Sequence, residues 1–131
     1  KNFATSLLVP GNNWYDYHKE CGDFYTSKFL ELGLLDKADV QNEDKNWPAY
    51  KKYMMHGTSH HLGLDTHDYG ILKDKFVENM VFTVEPGIYL PAEGFGVRIE
   101  DDLVIQNSGP AFNLMKNIPI EVEEIEELMN S

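Results

Sequence analysis

The sequence predicts an α+β fold, and three textures along the chain predict it. Residues from about 13 to 53 carry helical periodicity. Residues from about 54 to 118 read as strand-rich and glycine-punctuated, and residues from about 119 to 130 as a short amphipathic helix. Helices gathered ahead of antiparallel strands argue for α+β rather than α/β architecture. With 131 residues, 42% of them apolar and 12% aromatic, the chain forms a single domain with one modest core.

In the first region Tyr17, Cys21, Phe24, Tyr25, Lys28, Phe29 and Leu32 recur at helical spacing, and Gly33 is placed to stop the helix. A second helical piece starts after Asp36. Trp47-Pro48 interrupts it, because the residue before proline disfavours helical geometry. Glycines then fall at 57, 63, 70, 87, 94 and 96. Met80 to Glu85 reads as one strand, ended by Pro86-Gly87, and Gly96 to Gln106 as another, rich in Val and Ile with interleaved charge. Paired as a hairpin with Glu85 opposite Glu100, they centre the turn between Ala92 and Glu93, beside Gly94. Ile120 to Met129 closes the chain, its cluster Glu121, Glu123, Glu124, Glu126 and Glu127 forming a solvated helix face.

Composition excludes some classes of function. The net charge of −11, from 22 acids against 11 bases, argues against nucleic-acid binding. It suits a cation site or a positively charged substrate group such as a peptide amine. No run approaches the ~20 apolar residues of a membrane span, and Lys1 to Pro10 holds too short an apolar run for a signal peptide. The single cysteine, Cys21, rules out an internal disulfide and fits a reducing compartment, so a cytoplasmic location is expected. The chain begins at Lys1 without an initiator Met, as a processed chain or a piece of a longer one would.

Four of the five histidines fall between His56 and His67. Imidazole is a common metal ligand and also titrates near neutral pH. Spacing alone specifies no metal, and a cluster of surface or capping histidines is the alternative. Alternation along the strands puts Val81, Thr83 and Glu85 on one face of the first. It puts Arg98, Glu100 and Asp102 on one face of the second, with Val97, Ile99 and Leu103 on the other. In the register above, Glu85 and Glu100 sit within about 5 Å, where like charges repel. A divalent cation offsets that repulsion; so does protonation of one carboxylate, or Arg98 nearby. Two carboxylates and an imidazole suit Mn²⁺, Co²⁺, Fe²⁺ or Zn²⁺. The plainer reading is of two solvent-facing strand residues.

Three motifs resemble those of the aminopeptidase P and prolidase family: His56-Gly-Thr-Ser-His-His-Leu-Gly-Leu-Asp-Thr-His-Asp68, Val81-Phe-Thr-Val-Glu-Pro-Gly-Ile-Tyr89, and Gly96-Val-Arg-Ile-Glu-Asp-Asp102. They occur in the family's order and cover roughly residues 53–106. The resemblance implies the C-terminal half of the "pita-bread" fold shared with methionine aminopeptidases, and a site for two divalent ions, foremost Mn. By that similarity His60, Glu85 and Glu100 match metal ligands, with Glu100 bridging both ions. His56 and His67 match the histidines that contact substrate, Glu85 is the residue expected to shuttle the proton, and Arg98 supports the bridging glutamate. His61 stands where many relatives carry an aromatic residue, a departure that touches pocket shape. The implied reaction hydrolyses the bond between an N-terminal residue and a following proline, using a water activated by two metals.

The family's two aspartate ligands lie upstream of the histidine motif, in a region that would precede Lys1. Asp16, Asp23, Asp65 and Asp68 match neither. The expectation is therefore an incomplete site, and an exposed edge or apolar face that favours self-association, a homodimer among its forms. A prolidase-type dipeptidase and a non-catalytic binding module of the same fold are the competing readings. Isothermal titration of the 131-residue chain with Mn²⁺ is expected to show weak binding, alongside little or no peptidase activity. Two tight sites would contradict the expectation.

Overall fold

The computed structural model describes residues 1–131. A short helix α1 (Asn2–Ser6) leads into the long α2 (Trp14–Glu31) and then α3 (Lys37–Gln41), with a 3-10 turn at Ala49–Lys52. Strands β1 (Val81–Val84), β2 (Gly87–Leu90), β3 (Phe95–Arg98), β4 (Asp101–Val104) and β5 (Phe112–Asn113) follow, and α4 (Val122–Met129) ends the chain. The architecture is α+β.

Local chemistry fixes the ends of α2. The Asn13 side chain accepts the N–H groups of Tyr15 and Asp16 at 3.0 and 3.1 Å, capping two donors that the first turn leaves free. At the other end Gly33 takes φ +70°. Its N–H reaches the Leu30 carbonyl at 3.1 Å and that of Leu34 the Phe29 carbonyl at 2.9 Å, the paired bonds of a Schellman stop. Asp36 and Asp39 cap α3 reciprocally, each carboxylate accepting the other's N–H at 2.8–2.9 Å.

Helix α2 stops ahead of Gly33, as its spacing predicts, and the piece after Pro48 is a single 3-10 turn. Two expectations need correction. Helix α1 lies outside the expected helical region; at five residues with only Ala4 buried, it leaves no periodicity to read. Residues 54–80, expected to be strand-rich, contain no regular strand. They run instead as an irregular neighbour of β1. The N–H of Leu62 bonds to the Val81 carbonyl at 3.1 Å, that of Thr83 to His60 at 3.0 Å, and that of Glu85 to Thr58 at 2.8 Å.

The strands form a three-stranded sheet, β1-β4-β5, and a two-stranded ribbon, β2-β3, all antiparallel. Val84 pairs with Asp101 and Gly87 with Arg98, so Glu85-Pro86 and Ile99-Glu100 lie between the two ladders without a slip in register. Glu85 therefore faces Glu100, as the sequence predicts. Pro86 breaks the ladder because it has no N–H to donate. Four residues, Pro91 to Gly94, connect β2 to β3, with Gly94 in the left-handed region at φ +73°.

One face of the sheet carries the core. Phe82, Val84, Leu103 and Ile105 pack against Leu8, Trp14, Tyr17, Cys21 and Phe76. Each large apolar side chain so buried contributes roughly 1.5–3 kcal/mol. A smaller cluster of Phe29, Leu35 and Met54 fastens the far end of α2. Asp101 is buried on the core side, where Lys1 pairs with it and the Asn113 amide donates to it at 2.9 Å. An apolar groove of about 440 Å³ separates α2 from the ribbon, lined by Leu32, Ile88, Val97 and Ile99 among others.

A Cβ at Gly33 would meet open space, so only backbone strain opposes a side chain there. Gly33→Ala is expected to cost about 1–2 kcal/mol, seen as a lower urea midpoint at unchanged slope, and Gly33→Asn less. An unchanged midpoint in Gly33→Ala would contradict the assignment.

Candidate metal centre

In antiparallel pairing, side chains directly across from one another share a face. The irregular segment pairs His61 with Phe82, so His60 lies opposite Thr83. The face away from the core therefore presents His60, Thr83, Glu85 and Glu100 together. Ligand atoms of His60, Glu85 and Glu100 all lie within 4.8 Å of one another. His60 Nε2 is 3.1 Å from Glu85 Oε1, and Arg98 Nη1 is 3.6 Å from Glu85 Oε2. His60 and Glu85 are half-buried, and Glu100 is exposed.

Hydrogen bonds set the imidazoles. His60 Nδ1 lies 2.9 Å from the His61 carbonyl, which can only accept, so Nδ1 carries a proton and Nε2 is the nitrogen turned to Glu85. The same logic puts a proton on His56 Nδ1, 2.8 Å from the Gly57 carbonyl, and leaves its Nε2 to accept from the Tyr89 hydroxyl at 2.7 Å. The His67 ring stands 4.4 Å from that of His60, centroid to centroid. His56, His60, His67, Glu85 and Arg98 line one cleft of about 320 Å³ together with Gly57 and Ser59. His56, His60, His67, Glu85 and Arg98 thus meet at one place with Glu100 at its edge, and His61 does not join them.

The donor set fits a divalent cation. An imidazole nitrogen and a carboxylate oxygen 3.1 Å apart need a proton or a shared cation between them. Two ligands bound to one ion at about 2.0–2.2 Å and near right angles stand about 3 Å apart. One nitrogen and two carboxylates suit a borderline or hard divalent metal. Asp16, Asp23 and Asp68 are engaged elsewhere: with the Asn13 amide, with Lys19, and with the N–H groups of Leu64 and Tyr69.

The helix behind the site supplies residues the sequence did not reveal. Tyr17 and Tyr25, two turns apart on α2, place their hydroxyls 2.5 Å from Ser59 Oγ and 2.9 Å from Thr58 Oγ1. Burial raises both phenols and pushes the Cys21 thiol up to about 11, so all three remain protonated at neutral pH. Tyr89 was likewise missed as a partner of His56; its position two strand steps beyond Glu85 was the available signal. His61 corrects an expectation. It does not shape the carboxylate cleft but turns to the core face, where its ring packs on Trp14 and Phe82 and its Nε2 accepts the Trp14 indole N–H at 3.1 Å.

An α+β sheet that presents an imidazole and two carboxylates within 4.8 Å on one face has the donor set of the metallohydrolase class. The chain belongs to metallopeptidase family M24, whose pattern matches residues 2–107 and whose members use divalent metals. It is 41% identical to the Xaa-Pro aminopeptidase of Haemophilus influenzae over 97% of its length, covering 32% of that protein. It superimposes on aminopeptidase P from Escherichia coli with the inhibitor Pro-Leu at a TM-score of 0.77 and 35% identity, over 98% of this chain and 31% of that one. A zinc-substituted form of that enzyme in complex with product gives the same score, identity and coverage. The fold is thus part of the pita-bread fold. The chain spans about a third of the length of the curated relatives it matches.

Burial lowers the proton affinity of His18, which stacks on Trp14, and of His61. Unfolded, both take a proton near pH 6.5; folded, they do so only at lower pH. Between those values the unfolded chain binds more protons, so stability falls on acidification below about 6.5. Urea midpoints at pH 7.5, 6.5 and 5.5 are expected to decline in that order, and His18→Gln with His61→Gln to flatten the decline. An unchanged slope in the double variant would contradict the assignment.

Proposed function

We propose that residues His60, Glu85 and Glu100 supply one side of a two-ion centre in an Xaa-Pro aminopeptidase, acting on peptides with proline at the second position. The observation that carries this reading is the convergence of their three donors within 4.8 Å on one sheet face. The relatives named above support the substrate class. Bound divalent ions supply Lewis acidity toward a peptide carbonyl and lower the pKa of water. Mn²⁺ is our choice among them, on the carboxylate-rich donor set.

The chain's own residues take the remaining roles. Glu85, joined to His60 and Arg98 by the contacts above, holds the proton removed from water and delivers it to the leaving proline nitrogen. His67, on the cleft wall, donates to the developing oxyanion. His56, its ring held by Gly57 and Tyr89, orients the substrate. Arg98 steadies Glu85 and the neighbouring Glu100 by charge. The reading includes a cytoplasmic location, on the lone buried thiol of Cys21. It also includes a homodimer that covers the exposed apolar side chains Leu32, Ile88, Val97 and Ile99.

In the full-length protein, Glu85→Gln is expected to lower kcat on an Xaa-Pro peptide by about 10²–10⁴-fold, and His67→Ala by about 10²–10³-fold. Glu100→Ala is expected to lower Mn²⁺ stoichiometry measured by titration. Full activity in Glu85→Gln, or unchanged stoichiometry in Glu100→Ala, would overturn the assignment.

A further inference from the structure

We infer that Thr83 is a positioning residue for metal binding, its hydroxyl tying the His60 segment to the carboxylate of Glu85. The inference rests on the reading of His60 and Glu85 as ligands. Thr83 is buried although it lies on the cleft face of β1, flanked by His60 across the strand and Glu85 two residues on. A threonine in that setting must find partners for both its acceptor and its donor. Its Oγ1 accepts the His60 backbone N–H at 3.1 Å. That leaves the hydroxyl proton, and the group in reach to take it is Glu85 Oε1 at 3.5 Å.

The same Glu85 oxygen is the one that meets His60 Nε2. One hydroxyl therefore touches both halves of the pair: the backbone that carries the imidazole and the carboxylate oxygen beside it. The backbone bond from Thr83 N–H to the His60 carbonyl, at 3.0 Å, closes the ring on the other side. At 3.5 Å the contact to Glu85 is long. Hydrogen bonds of this kind to a ligating carboxylate fix its orientation and change metal affinity by about 10–100-fold. A role confined to packing would depend on the methyl group instead.

The test uses the full-length protein, Mn²⁺ titration well below the melting temperature, and melting of the metal-free forms. Thr83→Val keeps the volume and removes the hydroxyl; Thr83→Ser keeps the hydroxyl and removes the methyl. Mn²⁺ affinity is expected to fall about 10–100-fold in Thr83→Val and to be restored in Thr83→Ser, even where the serine form melts lower. Affinity retained in Thr83→Val while His60→Ala and Glu85→Ala lose it would overturn the role of Thr83 alone. Equal losses in the valine and serine variants would overturn it in favour of packing. Unchanged affinity in His60→Ala and Glu85→Ala would overturn the metal reading and this inference with it. Should Thr83→Val fail to fold, Thr83→Cys replaces it: a thiol is a poor donor and acceptor, so parent-like affinity there would equally overturn the proposal.

Discussion

Strand β1 is bonded along both edges, and the cleft depends on that double pairing. On one side it takes β4 in a register that sets Glu85 against Glu100. On the other the segment from Thr58 to Leu62 bonds to it at alternate residues and brings His60 alongside. Side chains alternate along a strand, so a one-residue slip on either edge would send a ligand to the core face. The two carboxylates repel one another, and the partly exposed Arg98 offsets little of that. The backbone ladders, anchored by the core behind them, hold the carboxylates where they are.

That core is organised around Trp14, the first residue of α2. Its ring meets those of Tyr17, His18, His61, Phe76 and Phe82 at 4.8–5.7 Å between centroids. The same helix reaches the back of the histidine segment with two phenol hydroxyls. Buried polar groups are costly unless bonded, and here no buried side-chain nitrogen or oxygen lacks a partner. The helix thus packs the sheet with its apolar side chains and sets the depth of the histidine segment with its polar ones. Both faces of β1 take part, the core face in stability and the cleft face in chemistry.

Much of this was legible in the sequence where a local rule decided it. Gly33 stops α2 because the left-handed region suits glycine. The hairpin register followed from strand alternation and a turn beside Gly94, and Pro86 marked where pairing breaks. What escaped depended on contacts between distant residues. Asp101 is a charged residue among the apolar ones of its strand face, and only the distant Lys1 and Asn113 keep it paired inside. His61 reads as part of the histidine cluster, yet it belongs to the opposite face from His60. The segment 54–80 lacks a strand's repeating ladder even though it borders one, so its glycines and polar residues gave a mixed signal. The partnership of Tyr89 with His56 spans 33 residues and has no local signature.

The central claim is that His60, Glu85 and Glu100 share a cation. Anomalous scattering from crystals grown with Mn²⁺ tests it most directly. A peak bonded to His60 Nε2 and to carboxylate oxygens of both glutamates, at about 2.0–2.3 Å, is the predicted result. A manganese peak elsewhere, with His60 and the two carboxylates left unbridged, would contradict it.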